Sequence, residues 1–262
     1  MNAMRDDAML RADLSGKVAL VTGASGGLGR HFALTLARNG ATVVVAARRI
    51  DSINAVAAEI AAAGGQSAAV VLDVTSSDSV RAAFDQAQAR FEAVDILVNN
   101  SGIVVGKPAL EQSPEDWNQV LETNLRGAFF LATECARRLR DVKRPGSIIN
   151  IASILGLRQA SMVASYAASK AALIQLTKTL ALEFARYDIR VNAIAPGYIE
   201  SDLNRDFFAT EAGQALVRRI PQRRLGSPVD LDGPLLLLAS QSSRYMTGSV
   251  IVADGGHLTS SL

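Results

Sequence analysis

Residues 17–29 read KVALVTGASGGLG, and this short stretch decides the fold. Its first six residues form an apolar run that is typical of a buried strand. Glycines follow at once, and a helical pattern then runs from Leu28 to about Asn39. A second apolar run, ATVVVA, covers residues 41–46. The two runs and the helix between them therefore predict one βαβ unit.

The glycine-rich turn between the first strand and its helix predicts an anion site. Backbone N–H groups are unpaired at a helix N-terminus, and the helix dipole favours negative charge there. Glycine lets the backbone approach a diphosphate closely, although an ordinary tight turn uses the same residue. The spacing is G-x-x-x-G-x-G, and the residues expected to contact a dinucleotide are Gly23, Ser25, Gly26, Gly27, Leu28 and Gly29.

The end of the second strand indicates which dinucleotide would bind. In dinucleotide-binding folds an acidic residue here binds the ribose 2′-OH of NAD, whereas a nearby arginine accommodates the 2′-phosphate of NADP. This chain has Arg48 and Arg49 at that point and no acid until Asp51. The pair favours NADP(H), with NAD(H) as the alternative. A solvated basic turn would also explain two arginines.

Composition limits the classes of partner. The chain has 262 residues, of which 49% are hydrophobic and 20% charged, so it can bury a full core. A net charge of +2 argues against nucleic acid as a partner, and the single cysteine, Cys135, forbids an internal disulfide and suits a reducing compartment. Residues 1–12 lack the apolar core of a signal peptide, and no apolar run approaches the roughly 20 residues that span a bilayer. We expect a cytoplasmic protein without a membrane partner, and a loose N-terminal tail over residues 1–14.

The remaining sequence alternates strand and helix patterns about seven times with short connections. This rhythm predicts an α/β fold: one doubly wound parallel sheet of about seven strands with helices on both faces, forming a single domain over residues 15–262. Residues 198–222 break the rhythm, being polar with scattered aromatics. Such a connection is either a substrate lid or a pair of surface helices.

Tyr166 and Lys170 lie four residues apart on a predicted helix and project from one face, which is otherwise apolar. A buried cation is costly unless it has a partner or a chemical role. An ammonium close to a tyrosine stabilises the phenolate and lowers its pKa from about 10, so the pair suits general acid–base chemistry. The alternative is that Lys170 extends to solvent and Tyr166 only packs.

Each of three polar residues, Asp73, Ser153 and Asn124, could have either a functional role or a purely structural one. Asp73 and Ser153 follow predicted strands, at the sheet edge where ligands bind, but either could be a turn residue. Asn124 lies in the apolar stripe of a helix that begins at Ser113-Pro114, so it needs hydrogen-bond partners if it is buried. It could instead lie at the stripe margin and face water.

Taken in chain order, these motifs resemble the short-chain dehydrogenase/reductase family from about Ser15 to the C-terminus. The matching features are the turn at residues 22–29, Asp73, Asn99-Asn100-Ser101-Gly102, Asn124, Ser153, Tyr166-x-x-x-Lys170 and Pro196-Gly197. Ser101 and Ser201 stand where the family often has alanine and threonine. The turn also lacks the basic residue that NADP-using relatives often carry, which leaves the preference for NADP(H) to Arg48 and Arg49.

The resemblance implies an oxidoreductase that transfers a hydride between NADP(H) and a small alcohol or carbonyl compound. Tyr166 would be the acid in reduction and the base in oxidation, and Lys170 would lower its pKa and bind the nicotinamide ribose. Ser153 would hydrogen-bond the reacting oxygen, and Asn124 would hold a water that links Lys170 to solvent. Further cofactor contacts are expected at Asp73, Val74, Asn100, Gly102, Pro196, Gly197 and Ile199. No metal is implied, and both histidines, His31 and His257, are expected to be structural.

The resemblance leaves the substrate open. A 3-oxoacyl thioester reductase is an alternative, although residues 127–132 and 180–182 lack the basic side chains that would dock an acyl-carrier protein. A sugar or polyol dehydrogenase is another, whereas a regulator without turnover is disfavoured by the complete set of four catalytic residue types. Residues 154–163 and 198–222 are expected to determine the substrate. Family members are usually tetramers, and the apolar run Phe129-Phe130-Leu131 would favour a homo-oligomer if it were exposed.

Overall fold

The structure is a computed structural model that describes residues 12–201 and 204–260. Residues 1–11 of the expected N-terminal tail lie outside the described residues. Leu14 does not belong to a loose tail, because its side chain is only 1% exposed and its N–H donates to the Asn39 carbonyl at 2.9 Å. The ordered domain therefore includes the end of the segment that the sequence assigned to the tail.

The described strands form one parallel sheet of seven strands in the order β3-β2-β1-β4-β5-β6-β7. This confirms the predicted doubly wound fold. The strands are β1 (Val18–Thr22), β2 (Thr42–Ala47), β3 (Ser67–Val71), β4 (Ile96–Asn99), β5 (Gly146–Ile151), β6 (Ile189–Pro196) and β7 (Val250–Ala253). The order reverses direction between β1 and β4, and open α/β sheets bind their ligands at such a switch point, beyond the carboxyl ends of the strands.

Helices cover both faces of the sheet. They are α1 (Gly27–Arg38), α2 (Ile50–Ala62), α3 (Ser77–Arg90), α4 (Pro114–Leu121), α5 (Gly127–Asp141), α6 (Ala164–Phe184), α7 (Arg205–Ala209), α8 (Glu211–Val217) and α9 (Asp232–Ala239). Alternate residues of each buried strand point to opposite faces. Val21 packs with α1, α2 and α9 on one side, and Leu20 packs with α3, α5 and α6 on the other.

The helix that begins at Ser113 is not uniform. A capping box between Ser113 and Asp116 starts α4, as the sequence indicates. One turn of π-helix, Glu122–Arg126, then separates α4 from α5. Single π turns within helices occur frequently at functional sites.

Residues 198–222 contain the short helices α7 and α8. Phe208 and Ile220 are 5% and 1% exposed, so this segment contributes apolar side chains to the interior. The helix-pair interpretation therefore describes its conformation, and whether the segment also acts as a lid stays a prediction. Within the described residues, no helix combines the length and the apolar character needed to cross a bilayer.

Candidate active site

The turn between β1 and α1 is an open cradle in front of a helix N-terminus. Gly26 caps α1 without any side-chain hydrogen bond to the first N–H groups. A Cβ added to Gly26 or Gly27 would meet nothing within 4 Å. At Gly29, by contrast, a Cβ would lie 2.3 Å from the Gly23 carbonyl oxygen, so this glycine lets the helix pack on the turn. Free N–H groups beside open space suit an anionic group, and Leu28 packs against the core behind them.

Residues that follow β4 form hydrogen bonds with the start of the glycine turn, across the switch point between β1 and β4. The Asn100 side-chain amide donates to the Thr22 carbonyl at 3.0 Å. The Thr22 hydroxyl accepts hydrogen bonds from the backbone N–H groups of Asn100 and Ser101, each at 3.0 Å. Asn99 points into the sheet, where its amide donates to Asn150 Oδ1 at 2.9 Å. Asn99 therefore links β4 to β5, and Asn100 links the end of β4 to the glycine turn.

The two arginines after β2 differ in their contacts. The exposed guanidinium of Arg49 donates to Ser25 Oγ at 3.1 Å, so it reaches across to the glycine turn. Arg48 lies close enough to Asp73 for its charge to lower the pKa of that carboxyl group, although hydrogen bonds from Thr75 lower it more. The link between Ser25 and Arg49 was not predicted, since a contact between a turn serine and a distant arginine leaves no pattern in the sequence.

Asp73 is partly a turn residue. Its Oδ1 accepts hydrogen bonds from the N–H and the hydroxyl of Thr75, at 3.0 and 2.7 Å. The adjacent Val74 is buried, and a Cβ at Gly127 would lie 2.9 Å from its carbonyl oxygen. The end of β3 therefore lies against the start of α5. This geometry explains Asp73 locally and leaves its expected contact with an adenine as a prediction.

Asn124 is buried in the π turn and does not face water. Only 1% of it is exposed, and its amide exchanges two hydrogen bonds with the backbone of Ile103, at 2.8 and 2.9 Å. Its Nδ2 also donates to Ser169 Oγ at 3.1 Å, and that hydroxyl donates to the Tyr166 carbonyl at 2.7 Å. Asn124 thus fixes α6 beside Tyr166. Ser169, inside the Tyr-x-x-x-Lys motif, is a partner that the sequence analysis did not identify.

Ser153 and Tyr166 meet at the carboxyl end of β5. The two side chains are close enough for Ser153 to act to lower the pKa of the Tyr166 hydroxyl. Burial has the larger effect and raises that pKa above its ordinary value of about 10. The nearby Tyr198 raises it further. Ser153 Oγ also accepts the Leu155 N–H at 3.1 Å, which fixes the serine side chain.

Lys170 is buried, so it does not extend to solvent. It is 4% exposed, and its Nζ donates to the Ile151 carbonyl at 2.7 Å and lies 5.6 Å from the centre of the Tyr166 ring. Burial lowers the pKa of Lys170 to about 8. The expectation of a lowered Tyr166 pKa is wrong in its net direction, because burial outweighs any help from an ammonium group that is directed at a backbone carbonyl.

Gly102, in the loop after β4, packs closely against Asn124 and Lys170. A Cβ at this glycine would lie 3.4 Å from Asn124 Oδ1 and 3.6 Å from Lys170 Nζ. The backbone at Gly102 therefore lies directly against two of the candidate residues. Asn124, Ser153, Tyr166 and Lys170 are thus brought together from three parts of the chain, as the sequence predicts.

The end of β6 completes this edge of the sheet. Pro196 is the last residue of β6, and Gly197 packs so closely on Asp254 that a Cβ would lie 2.7 Å from the Asp254 side chain. Ile199 forms an isolated parallel bridge with Gly226. These contacts fix the backbone after β6 and give the three residues structural roles, whereas their expected contacts with a cofactor stay predictions.

A cluster of aromatic and basic residues near Tyr166 was not identified from the sequence. The rings of Phe208 and His257 each lie 5.6 Å from the ring of Tyr198. The Arg158 guanidinium donates to the His257 carbonyl oxygen. Arg158 and Tyr198 fall within the two segments that were expected to determine the substrate, but only the fold brings them next to the C-terminal His257.

A nucleotide-compatible cradle and a buried Ser-Tyr-Lys set at the same sheet edge define an oxidoreductase that acts on CH–OH and C=O groups. A family model described as enoyl-(acyl carrier protein) reductase matches residues 23–257. The chain belongs to the short-chain dehydrogenase/reductase family.

Individual relatives cover nearly the whole chain but differ in substrate. A 2-dehydro-3-deoxy-D-gluconate 5-dehydrogenase of Escherichia coli is 39% identical over 94% of this chain and 96% of its own length. A 3-oxoacyl-[acyl-carrier-protein] reductase of Thermotoga maritima is 37% identical over 93% of this chain and 98% of its own. The crystal structure of a gluconate 5-dehydrogenase from Burkholderia cenocepacia, in complex with NADP and tartrate, has a TM-score of 0.91 at 36% identity, covering 95% of this chain and 97% of that one.

Proposed function

We propose that this chain is an NADP(H)-preferring dehydrogenase or reductase of a small alcohol/carbonyl pair, with Tyr166 as general acid in reduction and general base in oxidation. The observation that carries the proposal is the convergence of Ser153 and Tyr166 beside the buried ammonium of Lys170 at the carboxyl end of β5. The cofactor, when bound, accepts or supplies the hydride. The chain positions the substrate oxygen and moves the proton.

The cofactor assignment rests on the glycine turn and the arginines after β2. The open space at Gly26 and Gly27 supports binding of the diphosphate at the start of α1. Arg49, already bonded to Ser25, is placed to receive a 2′-phosphate, and Arg48 adds positive charge. The named Burkholderia relative contains NADP, which favours the same cofactor here. The other proposed contacts are Asp73, Val74, Asn100, Gly102, Pro196, Gly197 and Ile199.

The proton chemistry follows from the burial of the site. A raised pKa keeps Tyr166 protonated at neutral pH, so in reduction it can donate its proton to the substrate oxygen while Ser153 also hydrogen-bonds that oxygen. The Lys170 ammonium then stabilises the tyrosinate that remains. Asn124 holds the backbone of Ile103 beside Lys170, and we assign to it the ordering of a water through which the proton is replaced from solvent.

Two substrates test this function and separate its main alternatives. Initial rates are measured for NADPH oxidation with an acetoacetyl thioester and for NADP⁺ reduction with D-gluconate, with NADH and NAD⁺ in parallel. Thioester turnover would favour a 3-oxoacyl thioester reductase, for which the Thermotoga relative is the supporting observation. Gluconate turnover would favour a sugar-acid dehydrogenase. A preference for NADH would contradict the role given to Arg49.

The variant Tyr166→Phe distinguishes an enzyme from a cofactor-binding regulator. It should lose turnover and keep its affinity for NADPH, measured by fluorescence titration. Unchanged turnover in this variant would refute the assignment of Tyr166. Ser165→Ala, at the neighbouring buried position of α6, is a matched control that removes a hydroxyl without touching the proposed proton path.

Assembly, the lid and the compartment are proposed on separate grounds. Phe129 on α5 and Leu182 on α6 are 40% and 82% exposed, which supports a homo-oligomer, with a tetramer expected from the family. The segment over residues 198–222 carries Tyr198 into the site region and is proposed as the substrate lid. Burial raises the pKa of the Cys135 thiol, so it resists ionisation. A chain with one such thiol is compatible with the cytoplasm.

A further inference from the structure

Arg158 is held close to the proposed catalytic residues by the turn that follows Ser153. Its backbone N–H donates to the Ile154 carbonyl at 2.8 Å. Within the same turn, Gly156 lies so close to α6 that a Cβ would be 2.7 Å from the Lys170 carbonyl carbon. The turn therefore has little freedom to move away from α6. Arg158 is presented from a fixed backbone rather than from a loose loop.

The side chain of Arg158 connects the two segments that flank Tyr166. Its guanidinium donates to the carbonyl oxygen of His257, whose ring packs on Tyr198. Its charge opposes the effect of burial on the pKa of Tyr198, so the two side chains are close. Tyr198 in turn is close enough to Tyr166 to influence the pKa of that hydroxyl. Tyr198 is therefore near both the Arg158 guanidinium and the proposed proton donor.

Arg158 and Arg190 are the partly buried arginines of the described residues that have no acidic partner, and Arg190 instead donates to Ser243 Oγ and to the carbonyls of Leu238 and Ser240. Arg138 pairs with Asp85 and Glu134, and Arg144 pairs with Glu92 and Asp95. Arg158 forms no ion pair with a carboxylate of the described residues. A partly buried guanidinium without an anion is costly, and its fork of N–H groups fits a carboxylate bidentately.

The charges around His257 also favour an anion. Arg158 and Arg219 both face this residue, against the single carboxylate of Asp254. Both Asp254 oxygens already accept backbone hydrogen bonds, from Gly256 N at 2.8 Å and from Leu258 N at 2.6 Å. The surroundings of His257 therefore contain two positive charges, on Arg158 and Arg219, and one negative charge, on Asp254. The Asp254 carboxylate is already hydrogen-bonded to backbone N–H groups.

We propose that Arg158 binds a carboxylate of the substrate, so that this chain acts on a hydroxy acid or its keto form rather than on a neutral alcohol. The proposal rests on the function proposed above and names its substrate class. In the oxidation, which requires Tyr166 in its tyrosinate form, the hydride and its two electrons leave the carbinol carbon for NADP⁺, the hydroxyl proton passes to the tyrosinate oxygen, and the C–O single bond becomes C=O. The carboxylate anchored on Arg158 is unchanged by the reaction.

The test compares D-gluconate with D-gluconamide, which has the same hydroxyl groups and no charge. Values of kcat/KM are measured for the wild type, Arg158→Gln and Arg158→Lys. Loss of a charge-assisted hydrogen bond should lower the gluconate/gluconamide ratio about 10- to 100-fold in Arg158→Gln. Arg158→Lys keeps the charge without the fork and should give an intermediate ratio. The control is Arg90→Gln, which removes the same charge from an exposed site at the end of α3 and should leave the ratio at its wild-type value.

A binding measurement makes the result independent of turnover. D-gluconate and tartrate are titrated by calorimetry into Tyr166→Phe protein saturated with NADP⁺, with and without Arg158→Gln. We expect binding that weakens about 10-fold or more when Arg158 is replaced. The proposal would be overturned if Arg158→Gln lowered kcat/KM equally for gluconate and gluconamide. It would also be overturned if neither gluconate nor tartrate bound to the Tyr166→Phe protein. Failure of the wild type to bind NADPH, or full turnover by Tyr166→Phe, would instead overturn the proposed function.

Discussion

The proposed cofactor side and the proposed substrate side of this site are built in different ways. On the cofactor side, backbone groups of β1 and α1 form the cradle, and neighbouring residues such as Gly26 and Gly29 set its shape. On the proposed substrate side, Arg158, Tyr198 and His257 come from three distant segments and meet through a ring–ring contact and a hydrogen bond from the Arg158 side chain to the His257 carbonyl. A binding surface made of local backbone can be read from a short motif, whereas one made of distant side chains requires the fold.

The largest expected effect that tests this comparison is at Tyr166, which lies between the proposed cofactor and substrate sides. Tyr166→Phe removes the proton donor, and general acid–base catalysis contributes typically about 10²- to 10⁴-fold to a rate. We expect kcat to fall by that factor in both directions, with the NADPH dissociation constant unchanged. Stopped-flow single-turnover rates would check that the loss is in the chemical step. A loss of NADPH affinity of similar size would show that the two sides are not separable.

A pair of glycine variants should separate packing from binding within the cradle. In Gly29→Ala the new Cβ would lie 2.3 Å from the Gly23 carbonyl oxygen, so the unfolding free energy should fall by about 1–3 kcal/mol. In Gly26→Ala the Cβ meets no atom within 4 Å, so stability should change little while NADPH binding weakens, because the methyl group occupies the cradle.

Urea denaturation and NADPH titration of both variants measure these two quantities. If Gly26→Ala bound NADPH as tightly as the wild type, the diphosphate could not lie in front of α1.

A smaller effect is expected for Arg49→Gln, which changes the choice of cofactor. The guanidinium at 3.1 Å from Ser25 Oγ is proposed to bind the 2′-phosphate, and hydrogen bonds to charged groups contribute about 1.5–3 kcal/mol. The ratio of kcat/KM for NADPH to that for NADH should therefore fall about 10-fold or more. Arg38→Gln, in the last turn of α1, is a matched control. If this ratio were unchanged in Arg49→Gln, Arg49 would not determine the preference for NADPH.

A further effect is expected in the pH dependence of stability. Burial lowers the pKa of Lys170 from 10.5 to about 8, so between these values the unfolded chain binds more protons than the folded one. The contribution of Lys170 to the unfolding free energy should therefore rise from pH 8 to pH 10.5. The comparison of wild type with Lys170→Met over this range isolates the effect, and a flat difference would contradict it.

The sequence predicted the parallel sheet, because strand and helix periodicity follow from local backbone geometry, whereas Asn124, Ser153, Tyr166 and Lys170 were selected through the family resemblance and are brought together by the fold. It could not predict the net direction of the Tyr166 pKa, since that depends on how deeply the assembled fold buries the hydroxyl. It also could not predict Arg158 or the contact between Arg49 and Ser25. Each of these requires knowledge of which distant segments become neighbours.

The π turn at Glu122–Arg126 has a consequence for how the long helix of this region can vary. Successive residues of an α-helix are rotated by about 100°, so one wider turn resets the angular position of every residue after it. The buried faces of α4 and α5 therefore need not form one continuous stripe. Each helix can pack its buried face against different neighbouring elements. Deleting one residue from this turn would restore a uniform helix and rotate Asn124 relative to α5, which would disconnect a buried amide without changing any amino acid in contact with it.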